Sequence, residues 1–310
     1  MIIAGKRIAV PILPLRAPLA ANDSRRAAAH EQLTRTFLAS PHVPFDDASR
    51  FVFFSDCHRG TNGRTDAFAP NKELFRQVLG HYLKRDFTYV EVGDGDELWL
   101  NPRFGDVQRA HRPIFDLLHQ FDRRDRLHLL EGNHDIAGRQ RNRKDKAGLP
   151  VREGLILQHT RTGQQILVAH GHQADFGKDP DFVLSRFMVR HFWRRLQQLG
   201  FGNAPLWAKT EHTRSWLEQW ITDRLQAHKL KIEQRIVTWL QEFQKTVICG
   251  HTHLARFAAR GTPPYFNAGS CVIPGLITGL EIEGGQIALV RYSSPERTLL
   301  APPRKLSLLY

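Results

Sequence analysis

Five short apolar runs punctuate this chain, and each stops at aspartate, asparagine or histidine. FVFFSDCH reaches Asp56 and His58, FTYVEVGD reaches Asp94, and LHLLEGNHD reaches Asn133, His134 and Asp135. QILVAHGH ends in His170 and His172, and KTVICGHTH ends in His251 and His253. Apolar runs this short, broken by glycine, read as buried strands. In α/β proteins ligands sit beyond the carboxyl ends of such strands, so polar tips there mark a site.

The intervening segments alternate with these runs. The pattern predicts helices at 71–84 and around 108–121, and hairpins over 154–170 and 276–293, the second turning at Glu283, Gly284 and Gly285. Before the first run, residues 1–49 form an extension with a helix from a cap at Asp23 or Ser24 through Phe37. Residues 50–178 carry the first part of an α/β core, and 246–310 its second part with a proline-containing tail. Between them, residues 179–245 change to helical spacing, with Leu184, Phe187, Met188, Phe192, Leu196 and Leu199 on one stripe. This all-helical insertion is a candidate lid over a substrate.

Composition narrows the class. A 41% hydrophobic and 24% charged chain is globular, and a formal charge of +13 points to phosphate-bearing partners or an anionic surface. No apolar run reaches the ~18 residues of a membrane span. Residues 1–22 resemble a signal peptide only until Arg16 and the prolines interrupt them, so the expectation is a cytoplasmic protein. Cys57, Cys249 and Cys271 are an odd set in a chain too large to need disulfides, and core packing is expected for all three.

The tips suggest metal chemistry. Residues two apart on a strand project to one side, which pairs Asp56 with His58 and His251 with His253. Adding Asp94, Asn133 and His170 makes seven nitrogen and oxygen donors with no thiolate, more than one four-coordinate Zn²⁺ accepts. Two ions ~3.5–4 Å apart sharing a carboxylate suit such a set. Asp94 is preferred to Asp96 as the shared group because it directly follows the strand and Gly93. Imidazole and carboxylate donors favour divalent transition metals, manganese first, with iron, zinc or cobalt as alternatives. Arg59 beside His58, and Arg139, Arg141 and Arg143 in a basic loop, are candidates for substrate phosphates; a solvated loop is the other reading.

The motifs D-x-H, GD-x-x-E, GNHD, His-Gly after a strand and GHTH, in that order over about residues 50–290, resemble the calcineurin-type metallophosphoesterase superfamily. The resemblance implies a four-layer αββα sandwich. It implies that Asp56, His58, Asp94 and His253 hold one ion, and that Asp94, Asn133, His170 and His251 hold the other. It further implies a bridging hydroxide attacking phosphorus in line, with His134 beside the leaving group and oriented by Glu97. The segment GDGDELW and the helical insert resemble the UDP-2,3-diacylglucosamine hydrolase branch. That branch typically has Arg in place of His134 and Asp in place of His172. Arg186, Arg190, Arg194 and Arg195 beside an apolar stripe suit a lipid-linked substrate and peripheral contact with an anionic membrane. The expected activity is a phosphomonoesterase or phosphodiesterase acting on a phosphorylated small molecule. A lipid-precursor pyrophosphatase and a non-catalytic metal- or nucleic-acid-binding scaffold are the alternatives, although no dedicated nucleic-acid-binding motif is present.

Overall fold

The computed structural model describes residues 25–135, 145–175, 216–293 and 296–309. Arg139, Arg141, Arg143 and the stripe from Leu184 to Leu199 lie outside the described residues. In chain order, α1 (Arg26–Ala39) leads into β1 (His42–Phe45) and β2 (Phe51–Phe54). Then come α2 (Lys72–Lys84), β3 (Thr88–Val92), α3 (Phe104–Ala110), α4 (Arg112–Asp122) and β4 (Leu127–Leu130). Next are β5 (Asp145–Lys146), β6 (Leu149–Arg152), β7 (Gly154–His159) and β8 (Gln165–Ala169). The long α5 (Trp216–Phe243) precedes β9 (Thr246–Cys249) and β10 (Tyr265–Asn267). The chain closes with β11 (Ile277–Glu283), β12 (Gln286–Ser293), β13 (Glu296–Leu299) and β14 (Arg304–Lys305).

Two mixed sheets result. The larger runs β13-β12-β11-β2-β3-β4-β6-β5, with β14 also on β12, and the smaller runs β1-β7-β8-β9-β10. Strands β2, β3 and β4 are parallel neighbours, as are β8 and β9, so their carboxyl ends emerge together within each sheet. Strand alternation divides the apolar runs between two cores. Val52, Phe54 and Tyr89 meet Phe75, Leu79, Tyr82, Ile114 and Leu118 of α2 and α4. On the other face Phe51, Phe53, Val90 and Val92 meet Leu155, Leu157, Ile166, Val168 and Ile248 of the smaller sheet. Residues Ile156, Leu167 and Val247 on the outer side of that sheet pack on Ala29 and Leu33 of α1 and on Ile232, Ile236, Trp239 and Leu240 of α5. Strands buried on both faces read as continuous apolar runs, and this is why the sequence showed them so plainly. The architecture is the expected four-layer αββα sandwich.

Two local features go beyond the sequence reading. The single helix expected around 108–121 is two, broken at His111, because Pro113 fits the first turn of α4 and not a helix interior. Residues before 50 contribute α1 and the edge strand β1, which pairs in parallel with β7 from His42 opposite Ile156. Pro44 is tolerated in β1 because an edge strand needs hydrogen bonds on one side only. All three cysteines are buried and free, in the apolar cores as expected.

Candidate metal centre

The loops after β2, β3, β4, β8 and β9 converge, and their backbone is unusual. Asp56, His58, Asp94, His251 and His253 have φ of 53°, 48°, 49°, 66° and 57°. Left-handed conformations are uncommon outside glycine and cost ~1–3 kcal/mol each, and they gather at functional sites. Strand β2 ends at Phe54, so Asp56 and His58 face one side through two left-handed residues and not through the strand alternation expected for them. The loops are laced together: Asp56 N–H donates to the Gly93 carbonyl at 3.2 Å, and His58 N–H to the Asp94 carbonyl at 2.9 Å. A Cβ on Gly132 would lie 2.1 Å from Asp94 Oδ1, and one on Gly93 2.5 Å from His170 Nδ1. The glycines of the GD and GN dipeptides are therefore spaces for neighbouring donors as much as turn residues.

Three donor clusters form among the described residues. One holds Asp56, His58 and His253, another Asp94, His170 and His251, and the third His58, Glu97 and His134, with donor atoms in each lying within 4.8 Å of one another. The first two consist of candidate ligands alone. His58 Nε2 and His253 Nε2 face each other at 3.2 Å, and His253 Nε2 lies 3.1 Å from Asp56 Oδ1. Asp94 stands between the first two clusters, its Oδ2 3.2 Å from His170 Nε2 and 3.8 Å from His58 Nε2. Asn133 is placed by its neighbour, since His134 N–H donates to Asp94 Oδ1 at 2.7 Å. Asp56 Oδ1, Asn133 Oδ1 and His170 Nε2 are buried and make no well-formed hydrogen bond, although His253 and Asp94 stand within ion-pair distance of two of them. Buried polar atoms are almost always satisfied, and a bound cation would satisfy all three. Oxygen and imidazole donors without thiolate fit divalent transition ions, and the residues present fit the implied pair.

Without an ion, these imidazoles and carboxylates charge one another. Burial would raise the carboxyl of Asp56, yet His253 and His58 hold it well below the usual range. Burial opposes protonation of His170, but Asp94 pushes it up to about 9. His253 is pushed down to about 4 by burial, against the pull of Asp56.

Glu97 does more than the sequence suggested. Its Oε2 lies 2.9 Å from His134 Nδ1 and 3.1 Å from His58 Nδ1. Burial opposes ionisation, but hydrogen bonds from His134 and His58 hold Glu97 down to about 2. An ionised carboxylate only accepts, so both Nδ1 atoms carry the proton and both Nε2 atoms are left for the cleft. The His134 ring also stacks on Trp99, with centroids 3.7 Å apart.

Arg59 does not reach the cleft. It is fully buried, with Nε 2.7 Å from Asp96 Oδ1 and its two terminal nitrogens 2.7 and 2.8 Å from the Glu91 carboxylate. Lys146 joins the same network at 3.0 Å from Glu91, 2.9 Å from Asp96 and 3.0 Å from Asp135. Asp135 in turn accepts the N–H groups of Asp96 and Gly132, both at 2.9 Å, tying the loop after β3 to the loop after β4. The expected phosphate contact by Arg59 is thus corrected: the side chain is fully buried, and its Nε and both terminal nitrogens donate to the buried carboxylates of Asp96 and Glu91. Removing one member of a buried ion pair typically costs ~3–5 kcal/mol. Arg59→Met should lower stability to urea by that order and leave the KM of the folded fraction unchanged. A raised KM at unaltered stability would return Arg59 to the substrate.

Two further residues escaped assignment from sequence. His172 is pushed down to about 3 by burial and by neighbouring His170, and its Nδ1 has no hydrogen-bond partner. Asp175 lies between His251 and His228, at 3.0 and 3.1 Å. His172 stands at a strand tip two residues after His170, but no such spacing marks Asp175.

A two-sheet sandwich with buried carboxylates and imidazoles gathered at its strand tips defines a class of α/β metal-site proteins. A family model described as calcineurin-like phosphoesterase matches residues 49–255, and the chain belongs to that family. Membership supports metal-dependent hydrolysis of phosphoester bonds in general. Comparison with curated proteins finds no match. Among solved structures, vacuolar protein sorting 29 from Cryptosporidium parvum is similar over 83% of this chain and 98% of that chain, with 12% identity and a TM-score of 0.40.

Proposed function

We propose that this protein is a dinuclear metal-dependent phosphoester hydrolase acting on a phosphomonoester or phosphodiester. The observation that carries the reading is the pair of ligand clusters meeting at Asp94, with buried donors among and beside them that make no well-formed hydrogen bond. Asp56, His58, Asp94 and His253 would hold one ion, and Asp94, Asn133, His170 and His251 the other. When bound, such ions neutralise phosphoryl oxygens and acidify water at neutral pH. The chain's own residues do the rest. Glu97 fixes the His134 ring, whose Nε2 is free to carry a proton to the leaving oxygen as a general acid. Arg139, Arg141 and Arg143, in the basic stretch of sequence that follows His134, are proposed phosphate contacts.

A lipid-linked pyrophosphate is the second reading for the substrate. It is favoured by GDGDELW and by a long insert helix, α5, that reaches the metal centre through His228 and Asp175. Among the described residues no helix is long and apolar enough to cross a membrane, so this reading needs peripheral contact through the basic insert. A cytoplasmic setting goes with either substrate. Manganese-loaded protein should be assayed on nitrophenyl mono- and diesters and on UDP-sugar pyrophosphates. Turnover confined to the pyrophosphates would select the second reading. No turnover of any of them by metal-loaded protein would leave a non-catalytic binding protein.

A further inference from the structure

Helix α5 grips the metal-centre loops through three of its side chains. Arg235 Nη1 donates to the Ala174 carbonyl at 3.0 Å, and His228 Nε2 lies 3.1 Å from Asp175 Oδ1, so both hold the loop after β8. Glu233, fully buried, accepts from Thr252 Oγ1 at 3.1 Å and pairs with Arg256 at 2.9 Å. Trp239, farther along, anchors the helix to α1 through Thr34 at 3.0 Å. Thr252 stands between the candidate ligands His251 and His253. The other oxygen of Asp175, Oδ2, lies 3.0 Å from His251 Nε2. A continuous chain therefore runs from the helix, through one carboxylate, to a metal-ligating ring.

That chain settles which nitrogen of His251 is available. A carboxylate accepts and does not donate, so the His251 nitrogen facing Asp175 carries the proton. The lone pair is then on Nδ1, the opposite nitrogen. A carboxylate on the far side of a ligating imidazole fixes its tautomer and ring orientation and raises its basicity.

We propose that Asp175 and His228 are positioning residues that hold His251 with Nδ1 toward the second ion and couple the affinity of that ion to α5. The inference rests on the dinuclear reading above. It adds that α5 is mechanically part of the metal site. Coupling of this kind is reciprocal: if the helix strengthens ion binding, the ion must equally hold the helix.

The test uses the full chain, titrated with Mn²⁺ by calorimetry and followed by hydrogen exchange over α5. Wild type should bind two ions. Asp175→Asn should weaken one of them by about 10- to 100-fold, the usual loss when such an outer partner is removed, and spare the other. His228→Leu should give a smaller loss at the same site, and His228→Gln, which can still donate to Asp175, should restore part of it. Mn²⁺ should slow amide exchange in α5 of wild type but not of Asp175→Asn. A merely structural role would lower the stability of the metal-free protein without splitting the two affinities. Unchanged affinities in Asp175→Asn, or α5 exchange indifferent to Mn²⁺ in wild type, would overturn the coupling while leaving the hydrolase reading intact. Wild type that binds no Mn²⁺ would overturn both.

Discussion

Asp94→Ala should leave the purified protein with neither metal ion and lower phosphoester turnover by roughly 10³-fold or more, since charge stabilisation by such ions is worth several kcal/mol. The reason is position. Asp94 Oδ2 is 3.2 Å from His170 Nε2 in one cluster and 3.8 Å from His58 Nε2 in the other, so its loss takes a donor from both. Its Oδ1 also accepts the His134 N–H at 2.7 Å, and without it the loop carrying Asn133 loses an anchor. His253→Ala differs, because its ring meets only Asp56 and His58 among the candidate ligands. It should chiefly weaken one ion. Elemental analysis of each variant beside turnover checks this. An Asp94→Ala protein that retains both ions would overturn the assignment of the shared carboxylate, and an active wild type free of transition metal would end the dinuclear reading.

His134→Ala should slow hydrolysis of an alkyl phosphoester by ~10²–10⁴-fold, the usual worth of general acid catalysis, while leaving metal content intact. A nitrophenyl ester should suffer far less, because nitrophenolate needs little protonation to leave. The geometry supports this split. His134 Nδ1 is engaged by Glu97 at 2.9 Å, and its ring is held flat against Trp99, so Nε2 is directed without touching a carboxylate. Glu97→Gln should behave differently from His134→Ala. The same carboxylate oxygen holds His58, a candidate ligand, at 3.1 Å, so the glutamine should weaken one ion as well as slow proton transfer. Equal losses on both esters for His134→Ala would reassign His134 to charge stabilisation. Loss of metal from that variant would mean that the donor assignment itself is wrong.

Short-range features of the fold are legible in the sequence, and long-range ones are not. The strands were legible because burial on both faces leaves uninterrupted apolar runs, and their tips because glycine and polar donors follow at once. The convergence of those tips follows from parallel pairing of β2, β3 and β4. Strand β1 was missed because an edge strand containing His42 and Pro44 shows neither alternation nor an apolar run. Arg59 was misread by adjacency: next to His58 in sequence, it turns to the opposite side. A signal did exist in β3, where Glu91 interrupts TYVEV, since a carboxylate buried inside a strand requires a buried cation. Asp175 had no such signal, because its partners His228 and His251 are distant in the chain and joined to it only by packing of α5.

The candidate ligands are contributed by both sheets: β2, β3 and β4 of the larger, β8 and β9 of the smaller. On the dinuclear reading the ions are therefore rivets through the seam of the sandwich. The layers cannot separate without breaking coordination, and ligands that bind only the folded state stabilise it by mass action. Resistance to heat or proteolysis would then track metal supply, and a chelator would lower it by the stability that the ions add.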